Sequence, residues 1–251
     1  MVETKKGTLI IALRTEEGNV VMASDTLESL DVIKLYGEKI INKKGILMGD
    51  SGIVSSCQAF EENIKKILKD IKENKGISKI RKKIRRVYTS TKRSYLESLG
   101  KEEDEESSVW AVEAILVFSL KNKLRILRIS NEGMDEKIDH NFVAVGSGDE
   151  MAYAVSNLLI KEPPKLENAL TAAHLIVESV VKTNVTVGGD VDIWIYNKNG
   201  EVKHLTKEEI EKVKERSKKL QEEIHNIIYR VENEGFTIRS KEEKEKNKII
   251  N

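Results

Sequence analysis

Hydrophobic period switches repeatedly along this chain, and that switching constrains its fold more than any single motif. Apolar residues first fall into short strand-like runs, Thr8–Leu13 and Val20–Ser24, with RTEEGN between them as a turn. EKIIN and GILMGDSG add two more short runs. From Gln58 the period lengthens. Phe60, Ile64, Ile67, Leu68 and Ile71 recur at helical spacing with Lys and Glu between them. Asn74–Gly76 ends that helix, and Ile80, Ile84, Val87 and Tyr88 open a second one running toward Leu99.

After the acidic loop GKEEDEESS, strand patterns return in VWAVEAILVFSL, LRILRIS and FVAVGSG. Two more helical segments follow, DEMAYAVSNLLI and LENALTAAHLIVESVVKT. Pro163 and Pro164 divide them, because proline cannot continue a helix. VDIWIYN and VKHLT form a last hairpin around KNG. Groups of strands that alternate with pairs of amphipathic helices predict a layered α+β fold. The economical packing puts the sheets in the middle and one helix pair on each outer face.

Composition narrows the function classes. Lys plus Arg (43) nearly balances Asp plus Glu (42), so the net charge of +1 gives no electrostatic case for nucleic acid or an anionic membrane. One cysteine, Cys57, excludes an internal disulfide or a multi-cysteine metal site, and the four histidines show no ligand spacing. No metal or cofactor is expected. No apolar run is long enough to span a bilayer, and the N-terminus lacks the apolar core of a secretory signal. The expectation is a soluble, cytoplasmic protein.

The first strand begins directly after Gly7–Thr8, behind a short charged leader. Thr8 can be simply a strand opener, since β-branched residues favour strands. If the leader is removed after Gly7, Thr8 gains a free α-amine beside its hydroxyl, a nucleophile with its own base.

GTLIIALRTEEGNVVMASD resembles the opening of proteasome β subunits: a Gly–Thr processing site, a strand, a turn and a strand ending in an acid, here Asp25. YGEKII places Lys39 where that family has a lysine. GILMGDSGIVSSCQAF fits its strand, small-residue turn and helix, with Gly52 at the turn and Gln58 in the helix. Gly146–Ser147–Gly148 and Gly188–Gly189 match two further family positions, so the resemblance runs from about residue 7 to residue 204.

The resemblance implies a four-layer αββα sandwich of the N-terminal nucleophile hydrolase type over 8–205. It also implies a removable leader, 1–7, that exposes Thr8 by self-processing. The activity implied is a threonine-type endopeptidase acting on peptides or unfolded protein, as a homo-oligomer or ring and without a cofactor. Thr8 carries over as nucleophile, with Lys39 beside its hydroxyl and Asp25 as the partner of Lys39. The Gly52 N–H carries over as oxyanion donor, and Ser147 as a neighbour of the amine. The chain departs from the family at two supporting positions. Asn184 stands where the family has aspartate and Val187 where it has a second serine, with Thr183 or Thr186 as possible replacements. Thr26 stands near where active members usually carry a basic residue.

Two alternatives stay open: a non-catalytic scaffold subunit, and a diverged enzyme performing transpeptidation or another amide reaction. α-type subunits also carry KKGT, but they have a long N-terminal extension. With residues 1–7 alone before Thr8, and with Asp25 and Lys39 present, the β type is the expectation.

Residues 206–251 form a charged helical tail that the resemblance does not explain. Thr206 and Glu209 make a capping box, and Leu220, Ile224, Ile227, Ile228 and Val231 form a narrow apolar stripe that needs a covering surface. SKEEKEKNK has almost no apolar residues, and the chain beyond about Ser240 is expected to be dispensable.

Overall fold

The computed structural model describes residues 8–30, 33–67, 71, 73, 76–101, 109–133 and 135–233. The leader, the acidic loop 102–108, the Asn74–Lys75 helix stop and everything after Asn233 lie outside the described residues.

The first two apolar runs form β1 (Ile10–Arg14) and β2 (Val20–Asp25), joined by a tight turn at Gly18 with φ +86°. The stretch after Asp25 departs from the expected loop. It is a second hairpin, β3 (Leu27–Leu30) and β4 (Ile33–Tyr36), with Leu27 opposite Tyr36. The Gly37 N–H closes its base on the Thr26 carbonyl at 3.0 Å. Then come β5 (Ile40–Lys43) and β6 (Ile46–Gly52).

The first helix, α1 (Val54–Ile64), starts earlier than its apolar pattern indicated and tightens into a 3₁₀ turn at Lys65–Ile67. It is followed by α2 (Ile77–Ser98), β7 (Val112–Leu120), β8 (Lys123–Ile129), a short β9 (Asp135–Lys137) and β10 (Phe142–Val145). The remaining elements are α3 (Asp149–Leu159), α4 (Leu166–Thr183), β11 (Val191–Tyr196), β12 (Val202–His204) and α5 (Lys207–Asn233).

Two five-stranded antiparallel sheets result, in the orders β10-β1-β2-β11-β12 and β5-β6-β7-β8-β9. Strand alternation builds three apolar layers from them. Leu9, Ile11 and Leu13 of the first sheet pack on Ala173, Ile176 and Val180 of α4. Ile10, Ala12 and Met22 turn the other way and meet Leu47, Ile115 and Val117 of the second sheet. The far side of that sheet, through Met48, Leu116 and Phe118, packs on Phe60, Ile64 and Ile84 of α1 and α2. The layering is therefore α, β, β, α, as the alternation of periods predicted.

The chain forms two compact units, Met1–Lys214 and Glu215–Asn251, with the break inside α5. The capping box is present: the Glu209 N–H donates to Thr206 Oγ1 at 3.3 Å, and the Thr206 N–H to Glu209 Oε2 at 2.9 Å. Of the apolar stripe, Ile224 and Ile227 are 38% and 60% exposed within one chain. Among the described residues no helix is long and apolar enough to cross a membrane, and no His, Cys, Asp and Glu cluster suits a metal.

Candidate active site

The site lies where the first sheet's central strands end. β1 and β2 are paired, with Ile10 opposite Ser24, so the residues just before β1 lie beside the end of β2. That register brings Thr8 to Asp25. The β3–β4 hairpin then returns the chain, and Lys39 enters the same place from the residue before β5.

Thr8, Asp25 and Lys39 form one buried constellation, at 5%, 0% and 8% exposure. Lys39 Nζ donates to Asp25 Oδ1 at 2.8 Å and to Thr8 Oγ1 at 3.3 Å. Asp25 receives two backbone donors as well, Leu9 N–H on Oδ1 at 2.8 Å and Gly188 N–H on Oδ2 at 3.1 Å. A buried carboxylate without such partners is costly. Here both oxygens are occupied, and the carboxylate anchors Lys39 against the Thr8 hydroxyl.

The Gly146–Ser147–Gly148 turn supplies the opposite wall. The Thr8 N–H donates to Ser147 Oγ at 3.2 Å, and the Gly148 N–H approaches the Thr8 carbonyl at 3.4 Å. Gly146 has φ +102°, and a Cβ there would stand 2.1 Å from the Thr8 carbonyl oxygen and 3.0 Å from Ser51 Oγ. Only glycine permits that approach. The same contact sets the end of β6 beside the turn, because Ser51 immediately precedes Gly52. Gly52 closes β6 at φ +140°, with no room for a side chain: a Cβ would lie 1.9 Å from the Ala111 carbonyl oxygen.

The structure separates the residues at the two departing positions. Asn184 bonds to the turn and to its own loop. Its Nδ2 donates to the Ser147 carbonyl at 3.1 Å, and its Oδ1 accepts from Thr186 N–H at 2.9 Å and Thr186 Oγ1 at 2.7 Å. Thr186 Oγ1 lies 3.0 Å from Ser147 Oγ. Val187, 3% exposed, is a core residue, and Thr183 bonds back to the Ser179 carbonyl at 2.7 Å. Of the two replacement threonines, Thr186 reaches the turn. Thr26 Oγ1 accepts from Asp190 N–H at 2.9 Å and so ties the end of β2 to the Gly188–Gly189 loop. A cleft of about 280 Å³ opens beside this loop, lined in part by Leu27, Lys182, Asn184 and Gly188.

One residue escaped sequence reasoning altogether. Glu113 of β7 reaches across from the second sheet, and its Oε2 accepts the Gly146 N–H at 3.1 Å. Arg128 of β8 pairs with Asp149 in the first turn of α3 at 3.4 Å. No sequence signal marks Glu113, a single acid in an apolar strand.

Two antiparallel sheets between two layers of helices make a sandwich of the N-terminal nucleophile hydrolase type. The chain belongs to the proteasome subunit family, whose family model matches residues 4–196. Two solved structures show the same fold. A Gly-1 mutant of Anbu from Hyphomicrobium sp. strain MC1 is 19% identical with a TM-score of 0.67, covering 89% of this chain and 97% of that one. Anbu from Yersinia bercovieri, described as an ancestral beta-subunit, is 16% identical with a TM-score of 0.68, covering 88% and 96%. Among curated proteins, no sequence matches.

Proposed function

We propose that this chain is a threonine-type peptidase whose nucleophile is Thr8 Oγ1, exposed as the N-terminal residue by self-cleavage after Gly7. One observation carries the reading: the Lys39 ammonium, fixed by buried Asp25 at 2.8 Å, stands 3.3 Å from the Thr8 hydroxyl. An ammonium there stabilises negative charge developing on that oxygen.

In self-cleavage, Thr8 Oγ1 attacks the Gly7 carbonyl carbon and the Gly7–Thr8 C–N bond breaks, giving an ester. The hydroxyl proton passes to the Thr8 nitrogen, which leaves as the free α-amine, and water then hydrolyses the ester, releasing the leader as a carboxylate and restoring the Thr8 hydroxyl. In turnover, the neutral amine takes the Thr8 hydroxyl proton and Oγ1 attacks a substrate carbonyl. The proton passes to the departing substrate amine, and water hydrolyses the acyl ester. Gly52 N–H is assigned to the oxyanion. A missing donor of that kind costs about two to three orders of magnitude in rate.

We also assign the working form to a homo-oligomer. Family membership supports this, as does the exposure of Met151 (37%), Leu158 (82%) and Val185 (98%) on and near α3.

Intact mass and peptide hydrolysis, compared between wild type and Thr8→Ala, test the reading. Expected are a wild-type chain beginning at Thr8 and cleaving peptides, and a variant that keeps its leader and does neither. A leader kept by both proteins with equal hydrolysis would overturn it, and monomer alone in light scattering of an active sample would overturn the oligomer.

A further inference from the structure

We propose that Thr186 is a positioning residue that sets the direction of the hydrogen-bond chain ending on the Thr8 nitrogen, and that an uncharged Asn184 terminates that chain. This rests on the reading of Thr8 as nucleophile and adds a residue to it.

Proton counting gives the direction. Each hydroxyl carries one proton. Thr186 spends its own on Asn184 Oδ1 at 2.7 Å. The 3.0 Å contact between Ser147 and Thr186 must then be filled by the Ser147 proton. That leaves Ser147 Oγ as an acceptor, facing Thr8 N at 3.2 Å. Asn184 closes the circuit by donating Nδ2 to the Ser147 carbonyl at 3.1 Å, which fixes its amide so that Oδ1 faces Thr186. The Thr186 N–H on the same Oδ1 at 2.9 Å reinforces that orientation.

Direction matters because the α-amine must act as a base. If Ser147 accepts, an amine N–H points at Ser147 and the nitrogen lone pair remains for the Thr8 hydroxyl proton. If Ser147 were free to donate, its proton would occupy the lone pair and the base would be lost. The three-residue Asn184–Thr186 turn therefore performs the orienting work, although Val187 has no polar atom on its side chain.

Charge follows from the same residues. The charged groups around the nitrogen are Lys39 before β5, Asp25 of β2, and Glu113 of β7 through Gly146 N–H. Beyond them are the Asp149–Arg128 pair of α3 and β8, and the Lys182–Glu178 pair of α4. Asn184 adds none. A carboxylate at 184 would favour the protonated amine and raise the pH at which the free base appears, by an amount on the order of one unit.

The experiment uses the full chain with Thr186→Val, Thr186→Ser and Asn184→Asp. In Thr186→Val, kcat is expected to fall at least tenfold with KM unchanged, and Thr186→Ser to restore it. In Asn184→Asp, the acid limb of the rate profile is expected to move up by about one pH unit. A readout without turnover accompanies these: hydrogen exchange of the position-8 amide in Thr8→Ala, with and without Thr186→Val. Faster exchange in the double variant supports the orienting role. Unchanged kcat, an unmoved acid limb and equal exchange would overturn the proposal while leaving the Thr8 nucleophile standing. A wild type that neither sheds its leader nor cleaves peptides would instead remove the nucleophile reading, and the exchange comparison would still decide the orientation.

Discussion

Gly146 stands so close to Thr8 that a Cβ on it would lie 2.1 Å from the Thr8 carbonyl oxygen and 2.9 Å from its carbonyl carbon. Backbone cannot yield as a flexible side chain does. Gly146→Ala must therefore displace either Thr8 or the turn that carries Ser147. Gly200 is the natural control, with φ +96° but nothing within 4 Å of an added Cβ. Gly200→Ala is expected to cost about 1 kcal/mol from conformation alone. Gly146→Ala adds an overpacking cost of about 1–3 kcal/mol and loss of leader removal. Denaturant melts and intact mass measure both, and equal effects at the two glycines would refute the close-approach argument.

Lys39 has a structural part beside its proposed electrostatic one. At 8% exposure beside a fully buried Asp25, it is half of an ion pair inside the protein. Lys39→Ala leaves the carboxylate with Leu9 and Gly188 N–H but no countercharge, a loss expected to reach about 3–5 kcal/mol. Asp25→Asn combined with Lys39→Met removes both charges and should cost clearly less than the two single changes added together. A double-mutant cycle by chemical denaturation reads the coupling, and strict additivity would contradict it.

His174 of α4 is 3% exposed, and its Nδ1 has no hydrogen-bond partner among the described residues. Burial pushes its pKa down, against an opposing pull from Glu178, whose Oε2 lies 4.0 Å away. Its folded pKa thus lies below its unfolded value of about 6.5. The unfolded chain binds the proton more readily, so this contribution to stability is complete above pH 6.5 and is lost as pH falls below it. His174→Phe should flatten that part of the stability profile below about pH 6.5. Parallel slopes in wild type and variant would refute the assignment.

Glu113 ties the two sheets together at the turn. Glu113→Ala strands the Gly146 N–H and should cost about 1–3 kcal/mol together with a slower reaction. Glu113→Gln keeps an acceptor oxygen and should fall between wild type and Glu113→Ala. Thermal melts and initial rates order the three proteins, and an unperturbed Glu113→Ala would show that the tie contributes nothing.

Legibility of this chain follows from where burial leaves a pattern. β1 and β2 are readable because their residues are almost all apolar and β-prone, and α4 because Ala169, Ala172, Ala173, Ile176 and Val180 mark one buried stripe. The β3–β4 hairpin, LESL and IKLY, mixes charges into four-residue strands, and β9 is Asp-Glu-Lys, so neither carries an apolar signal. The start of α1 was missed because Ile53 offers no side-chain cap. Thr8, Asp25 and Lys39 gain meaning together only by resemblance, since 14 residues separate Asp25 and Lys39 and the hairpin that joins them was unread. Asn184–Thr186 was partly readable, because asparagine commonly bonds a backbone N–H two residues on.

β1 has both faces covered, Leu9, Ile11 and Leu13 on one side and Ile10 and Ala12 on the other, all at 0% exposure, and β10 and β2 flank its edges. A strand so enclosed exchanges its amides only when the whole domain opens. Thr8, just ahead of it, is held in place by Lys39, Ser147 and the Gly148 N–H. On the proposed reading of Thr8 as nucleophile, it does not swing out to meet a substrate, and the substrate must fit itself to a fixed group. Heat should leave the nucleophile's geometry intact almost to the melting point, so that loss of activity and cooperative unfolding coincide in temperature.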